Sequence, residues 1–237
     1  MSNYKKAILL IGSPKGKNSS SASLGSYLLK EIEKYDIAGE IVHLHSEIST
    51  EAKTDLFLDK IKGADFIILA APLYVDTMPA KVIKALSLIA AQRKELYFDD
   101  IKSAKNQSFI ALVNCGFPEA DQNVTVLKVY QEFAKEAGFK YLGGIGVGMG
   151  GMVSGKSLAE MGAMAKDLVE GLKQAAEDIV KNQKISDAAV EKTSKPMISQ
   201  KWMYTLGGNW GWRLQALKNG VYLKLNDKPY LKNESDN

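Results

Sequence analysis

The chain has 237 residues, 46% of them hydrophobic and 24% charged, which is enough for one sizeable core and something added to it. A single cysteine excludes an internal disulfide framework and any cysteine-held cluster. The longest apolar run, 66–75, is about half of what a membrane span needs. The net charge of +4 belongs wholly to the C-terminal end: residues 1–194 hold 24 Lys/Arg and 24 Asp/Glu, and residues 195–237 hold 7 and 3.

Short apolar runs alternate with helical patterns from the first residues onward. Strands are expected over 6–12, 40–45, 65–71, 107–115 and 141–147, and helices over 20–35, 50–62, 79–91, 119–137 and 157–181. The strands are apolar on both faces, as in a parallel sheet covered by helices. Five such units make a doubly wound α/β domain over residues 1–185, and strand order 2-1-3-4-5 is one of the few topologies open to it. A basic extension over 186–237 follows, holding Trp202, Trp210 and Trp212. It reads as a helix, a glycine break at Gly207-Gly208 and a second helix. Its tryptophans would bury on the chain's own domain or a dimer mate, cover the ligand as a lid, or meet a membrane surface. MSNYKK runs straight into a strand, so no signal peptide is visible and a cytoplasmic protein is expected. Neither a membrane span nor a nucleic-acid partner is expected.

Residues 7–24, AILLIGSPKGKNSSSASL, are the most informative stretch. A strand, a polar turn and a helix N-terminus follow one another. Backbone N–H groups at a helix start are unpaired and partly positive, and a phosphate satisfies both conditions. Ser13, Asn18, Ser19, Ser20 and Ser21 add donors, and Lys15 and Lys17 add charge. The same serines also suit plain helix capping. In the 2-1-3-4-5 order the ligand crevice lies between strands 1 and 3, beyond their carboxyl ends. The loop after strand 3 should therefore carry the rest of the ligand. It reads APLYVDTMP: apolar, aromatic and bracketed by Pro72 and Pro79, with Leu73, Tyr74 and Val75 between them. Asn114, Cys115 and Gly116, after strand 4, would form a third wall.

These motifs resemble those of a known family. GSPKGKNSSSASL looks like the GSPR-x-x-S/N-x-T/S-x-x-L signature of flavodoxin-like FMN enzymes, and APLYVDTMPAKVIKAL resembles their second loop. The chain is similar, over roughly residues 5–182, to NAD(P)H-dependent FMN reductases and quinone reductases and to multimeric flavodoxin-type oxidoreductases. The resemblance implies a flavodoxin-like sheet with a C-terminal helical extension, FMN as cofactor and NAD(P)H as co-substrate. It places the phosphate on Ser13, Lys15, Asn18, Ser19, Ser20 and Ser21, and the isoalloxazine on Pro72, Leu73, Tyr74 and Val75. Lys15 stands where many relatives have Arg, which turns a bidentate contact into a point charge. The loop also carries one residue more than the signature. Hydride would pass from the nicotinamide through the flavin to a quinone, an azo or nitro compound, or free flavin. That chemistry needs no side-chain acid or base, so no catalytic residue is named. A homo-oligomer, dimer or tetramer, is expected. The alternative in another class is a flavodoxin-type electron carrier. Such carriers are typically strongly acidic, and this domain is neutral.

Other signals are weaker. GGMVSGKS, from Gly150 to Ser157, matches the Walker A pattern letter for letter, but no strand follows it to supply an acidic metal ligand. Gly146 to Gly151 matches G-x-G-x-x-G without the acidic partner that dinucleotide binding requires, and reads as a mobile glycine loop near the crevice. His43 and His45, expected on one face of strand 2, are too few for a metal, and no metal site is expected. Cys115 reads as a small hydrophobe. Met149, Met152, Met161 and Met164 suit core or interface packing, or the wall of an apolar substrate pocket.

Overall fold

The computed structural model describes residues 4–99 and 106–228. Five parallel strands, β1 (Lys6–Ile11), β2 (Ala38–His43), β3 (Phe66–Pro72), β4 (Ser108–Asn114) and β5 (Lys140–Val147), form one sheet in the order β2-β1-β3-β4-β5. The order and all five strands agree with the sequence expectation. Side chains alternate across the sheet. Leu9, Ile11, Ile68 and Leu112 face a core shared with α1 (Ser20–Glu33) and the later helix α7 (Lys166–Asn182). Ile8, Leu10, Leu69 and Val113 face the opposite core. That core is completed by α2 (Leu44–Glu47), α3 (Glu51–Gly63), α4 (Ala80–Asp99) and α5 (Val124–Glu136). Both faces of the central strands are thus dry, which explains their unbroken apolar runs.

The register aligns the carboxyl ends. Ile11 pairs with Ala70, Pro72 with Asn114, and Asn114 with Val147, so the loops after β1, β3, β4 and β5 emerge on one edge. Gly25 brings α1 close to the sheet. A β-carbon there would lie 2.8 Å from Leu9 Cδ1 and 2.9 Å from Ala70 Cβ.

Five local expectations need correction. His45 is not on β2: the strand pairs with β1 only as far as His43, and His45 lies in α2. Without a neighbouring strand the chain has no ladder to continue. Helix α4 runs to Asp99 because residues 92–96 are good helix formers and no glycine or proline follows to stop it. The helix expected over 119–137 begins as a 3-10 turn, Ala120–Asn123, before α5. The span 157–181 is likewise divided. A 3-10 segment, Leu158–Ala165, precedes α7, and Gly162 inside it has φ +54° and ψ −135°, outside the helical region. Finally, the tail is one continuous helix, α9 (Lys201–Lys218), rather than two. Each glycine costs a helix about 1 kcal/mol, and the flanking Trp, Met, Leu and Gln carry it through.

Besides α2, two short helices were not anticipated: α6 (Gly150–Val153), and α8 (Asp187–Ser194), which packs on α7. Gly171 lets the backbones of α7 and α8 approach, since a β-carbon there would meet Thr193 N at 2.8 Å. Ser186, capping α8, also donates its backbone N–H to the Asp178 carboxylate. The backbone contacts divide the chain into two units, Met1–Met197 and Ile198–Asn237. In sequence, α8 falls on the first side of that division, beyond the expected boundary at 185/186. The second unit consists, among the described residues, of α9 and a 3-10 turn, Tyr222–Lys224. Residues 229–237 of the expected extension lie outside the described residues.

Candidate functional site

A cavity of about 180 Å³ opens at the carboxyl edge of the sheet. Eleven of the thirteen residues expected from the sequence line it: Ser13, Lys15, Ser19, Ser20, Ser21, Pro72, Leu73, Tyr74, Asn114, Cys115 and Gly116. Asn18 is exposed and does not line it, and Val75 is 95% exposed at the tip of its turn. Gly150 and Gly151 line it as well. The glycine run after β5 was the signal for them, although it was not assigned to the site.

The first wall is the start of α1. Ser19 is its N-cap, accepting from Ala22 N at 3.1 Å and donating to Gly16 O at 2.7 Å. Ser20 Oγ donates to Gly150 O at 2.6 Å and accepts from Ser154 N at 3.1 Å. Ser21 Oγ donates to Asn114 Oδ1 at 2.7 Å. The hydroxyl protons of these three serines are therefore taken by the protein, because a hydroxyl has only one to give. Ser20 and Ser21 join the first loop to the loops after β5 and β4. What remains for an anion is the backbone. The amides of Ser20 and Ser21 lie in the first turn of a 14-residue helix and have no acceptor among the described residues. Lys15 has no carboxylate partner among the described residues, and no carboxylate lines the cavity.

The second wall is a tight reversal. Tyr74 and Thr77 exchange backbone hydrogen bonds at 3.1 and 3.0 Å around Val75 (φ +48°) and Asp76 (φ +58°). Positive φ at both central residues is the pattern of a type I′ turn, which normally selects Asn and Gly. Leu73 N donates to Asn114 O at 2.8 Å, tying this loop to β4. Tyr74 is 43% exposed at the rim.

The third wall ends β4. Asn114 is nearly buried, its Oδ1 held by Ser21, and its amide nitrogen has no acceptor among the described residues. Cys115 Sγ contacts the Phe117 and Glu119 carbonyls at 3.7 and 3.5 Å and Asn123 Nδ2 at 3.5 Å. Burial pushes its thiol pKa up from the ordinary value, so the group stays protonated and unreactive.

The Walker-like segment is tied into its neighbouring loops through four of its amides: Gly150 N donates to Cys115 O, Met152 N to Met149 O, Ser154 N to Ser20 Oγ and Lys156 N to Val153 O. Gly155, at φ +79°, is required because a β-carbon would lie 2.7 Å from Asn18 O. The glycines serve a close approach between two loops. Of the four methionines, Met149 is fully buried and Met161 packs on the core, while Met164 is half exposed.

A larger cavity, about 530 Å³, runs along the outer face of α1 past Tyr27, Lys30 and His43. It shares no residue with the site described and gathers no reactive constellation. Among the described residues, no group of three or more His, Cys, Asp or Glu is placed to hold a metal ion.

Residues 6–105 match the family of NADPH-dependent FMN reductases. No curated protein matches the sequence closely enough to count as a relative. Among solved structures, an apo NADH:FMN oxidoreductase is similar at 16% identity and a TM-score of 0.54, covering 85% of this chain and 99% of that one. A flavone reductase is similar at 16% identity and 0.53, over 80% and 69%. An FMN-dependent NADH-azoreductase from Bacillus anthracis, solved with FMN, is similar at 12% identity and 0.54, over 75% and 100%. At these identities the likeness is one of fold, and the fold is flavodoxin-like.

The cavity suits the phosphate-bearing end of FMN. Unpaired amides at a helix start, a free lysine and the absence of acidic lining all favour a dianion. At about 180 Å³ the cavity is smaller than the roughly 300–1,000 Å³ of an enclosing ligand pocket. A ligand held at one end and exposed at the other fits it better than one wholly enclosed.

Proposed function

We propose that the protein is an FMN-dependent oxidoreductase that takes hydride from NAD(P)H and delivers it to a small-molecule acceptor such as a quinone, an azo or nitro compound, or free flavin. The observation that carries this reading is the pair of unengaged amides, Ser20 and Ser21, at the same sheet edge as the Pro72–Tyr74 wall. When bound, FMN supplies the hydride and electron transfer. The chain's own part is binding and positioning. The Ser20 and Ser21 amides and Lys15 hold the phosphate. Pro72, Leu73, Tyr74 and Gly116 flank the ring system, and Asn114 offers its amide nitrogen. Tyr74, half exposed at the rim, contacts both the ring and an incoming substrate. Asn18 and Val75, away from the cavity wall, have no direct part. We read the protein as a cytoplasmic homo-oligomer.

The test is optical. Purified protein reconstituted with FMN should show bound-flavin absorption that bleaches on anaerobic NADPH addition and returns with a quinone. A preparation that stays colourless after reconstitution would overturn the reading. Bleaching by a reductase but by neither nicotinamide would favour an electron carrier.

A further inference from the structure

The second unit presents an apolar helix face to solvent. Along α9, Trp202, Met203, Leu206, Trp210, Leu214 and Leu217 fall within about 120° of arc at 100° per residue. Each is between 47% and 66% exposed. The pattern continues past the helix, where Leu223 is 92% exposed and Leu225 53%. Six large apolar side chains on one face form a patch that calls for a covering surface.

Charge says which surface. Helix α9 carries Lys201, Arg213 and Lys218 and no acidic residue, and the described residues after it add Lys224 and Lys228 against Asp227. Lys218 sits at one margin of the stripe and Lys201 beyond the other. Arg213 lies within it on a stem long enough to carry its guanidinium outward. Pairing two copies of α9 through this face would bring like charges together with no countercharge from the helix itself. An anionic surface has the opposite sign. Trp212, 79% exposed, lies about 80° outside the stripe at 100° per residue, beside Lys201; tryptophans beside cations on a short helix are the composition of an interfacial helix rather than a spanning one. No helix among the described residues is long and apolar enough to cross a membrane.

We propose that α9 is an interfacial anchor that lies in the headgroup layer of an anionic phospholipid bilayer. The stripe enters the acyl boundary, and Arg213 and Lys218 meet lipid phosphates. This holds independently of what the first unit binds.

The full-length protein is mixed with phosphatidylcholine vesicles, or with vesicles containing about 30 mol% phosphatidylglycerol. Flotation and tryptophan emission are recorded. Binding should be at least about tenfold tighter to the anionic vesicles, with a blue-shifted emission, and should weaken at high salt. Trp202→Ser with Trp210→Ser should abolish binding while far-ultraviolet circular dichroism is unchanged. Arg213→Glu with Lys218→Glu should lower affinity by about tenfold or more. Equal binding to both vesicle types, or none to either, would overturn the proposal. So would a concentration-dependent dimer, without vesicle binding, that Trp202→Ser with Trp210→Ser breaks apart.

Discussion

At the scale of single residues, the candidate site owes its shape to atoms that do not face the ligand. Ser20 was expected to donate its hydroxyl to a phosphate, and instead it holds Gly150 and Ser154. Ser20→Ala should cost about 1 kcal/mol of stability and loosen FMN by separating the two loops. Calorimetry and fluorescence quenching report the two effects. Lys15 has the opposite character. It is exposed and without a carboxylate partner among the described residues, so Lys15→Ala should weaken FMN retention several-fold with little change in melting temperature, and Lys15→Arg should restore it. Unchanged affinity in Lys15→Ala would remove the phosphate assignment. Val75 is the strained position. A β-branched residue at φ +48° is costly, and Val75→Asn or Val75→Gly should raise stability by about 1 kcal/mol. Cys115 should resist alkylation in the folded protein and react readily in denaturant, because its folded-state pKa is raised. The positions of Ser13 and Lys15 were legible from GSPK. The destinations of the Ser20 and Ser21 protons were not, because they depend on residues more than ninety positions away.

At the scale of elements, the sheet was the most legible part, because strands dry on both faces write themselves as apolar runs. Ile68, wholly buried in β3, illustrates the consequence: Ile68→Ala should cost about 2–5 kcal/mol, read by denaturant midpoint. What the sequence obscured was the ending of elements. Nothing in the local composition at residue 45 says that β2 has lost its partner, and nothing at Gly207-Gly208 says that helix formers on both sides will bridge the break. Helix α8 was not expected although Ser186 is a good cap, because the shift to a basic, tryptophan-bearing composition set the start of the extension at residue 186. Its attachment depends on Asp178 and Gly171 in α7, and therefore on tertiary contact.

At the scale of the whole molecule, the charge balance of the first unit conceals a local network. Lys6 meets Glu40 at 2.9 Å, and Lys60 meets Glu40 at 3.3 Å and Glu47 at 3.4 Å, joining β1, β2, α2 and α3. The hydrogen bond from Lys6, helped by Lys60, holds the Glu40 carboxyl below its ordinary value. A carboxylate depressed in the folded state contributes stability above its unfolded pKa and loses it as the pH falls through the folded one. The effect should be small, because these side chains are about one-third exposed. Acid titration of the melting temperature should show a shallow decline beginning near the ordinary carboxyl range and missing from Glu40→Gln.

Gly25 deserves its place in that picture for a reason beyond packing. It lies on α1 about 7.5 Å along the axis from Ser20, so the helix seats on the sheet like a beam on a notch. Fill the notch, as in Gly25→Ala, and the beam tilts. The amide end would swing away from its partner loops, although the altered residue touches no ligand. A defect mapped to the interior would then present itself as poor cofactor retention, and the cavity's geometry would prove to be regulated from beneath.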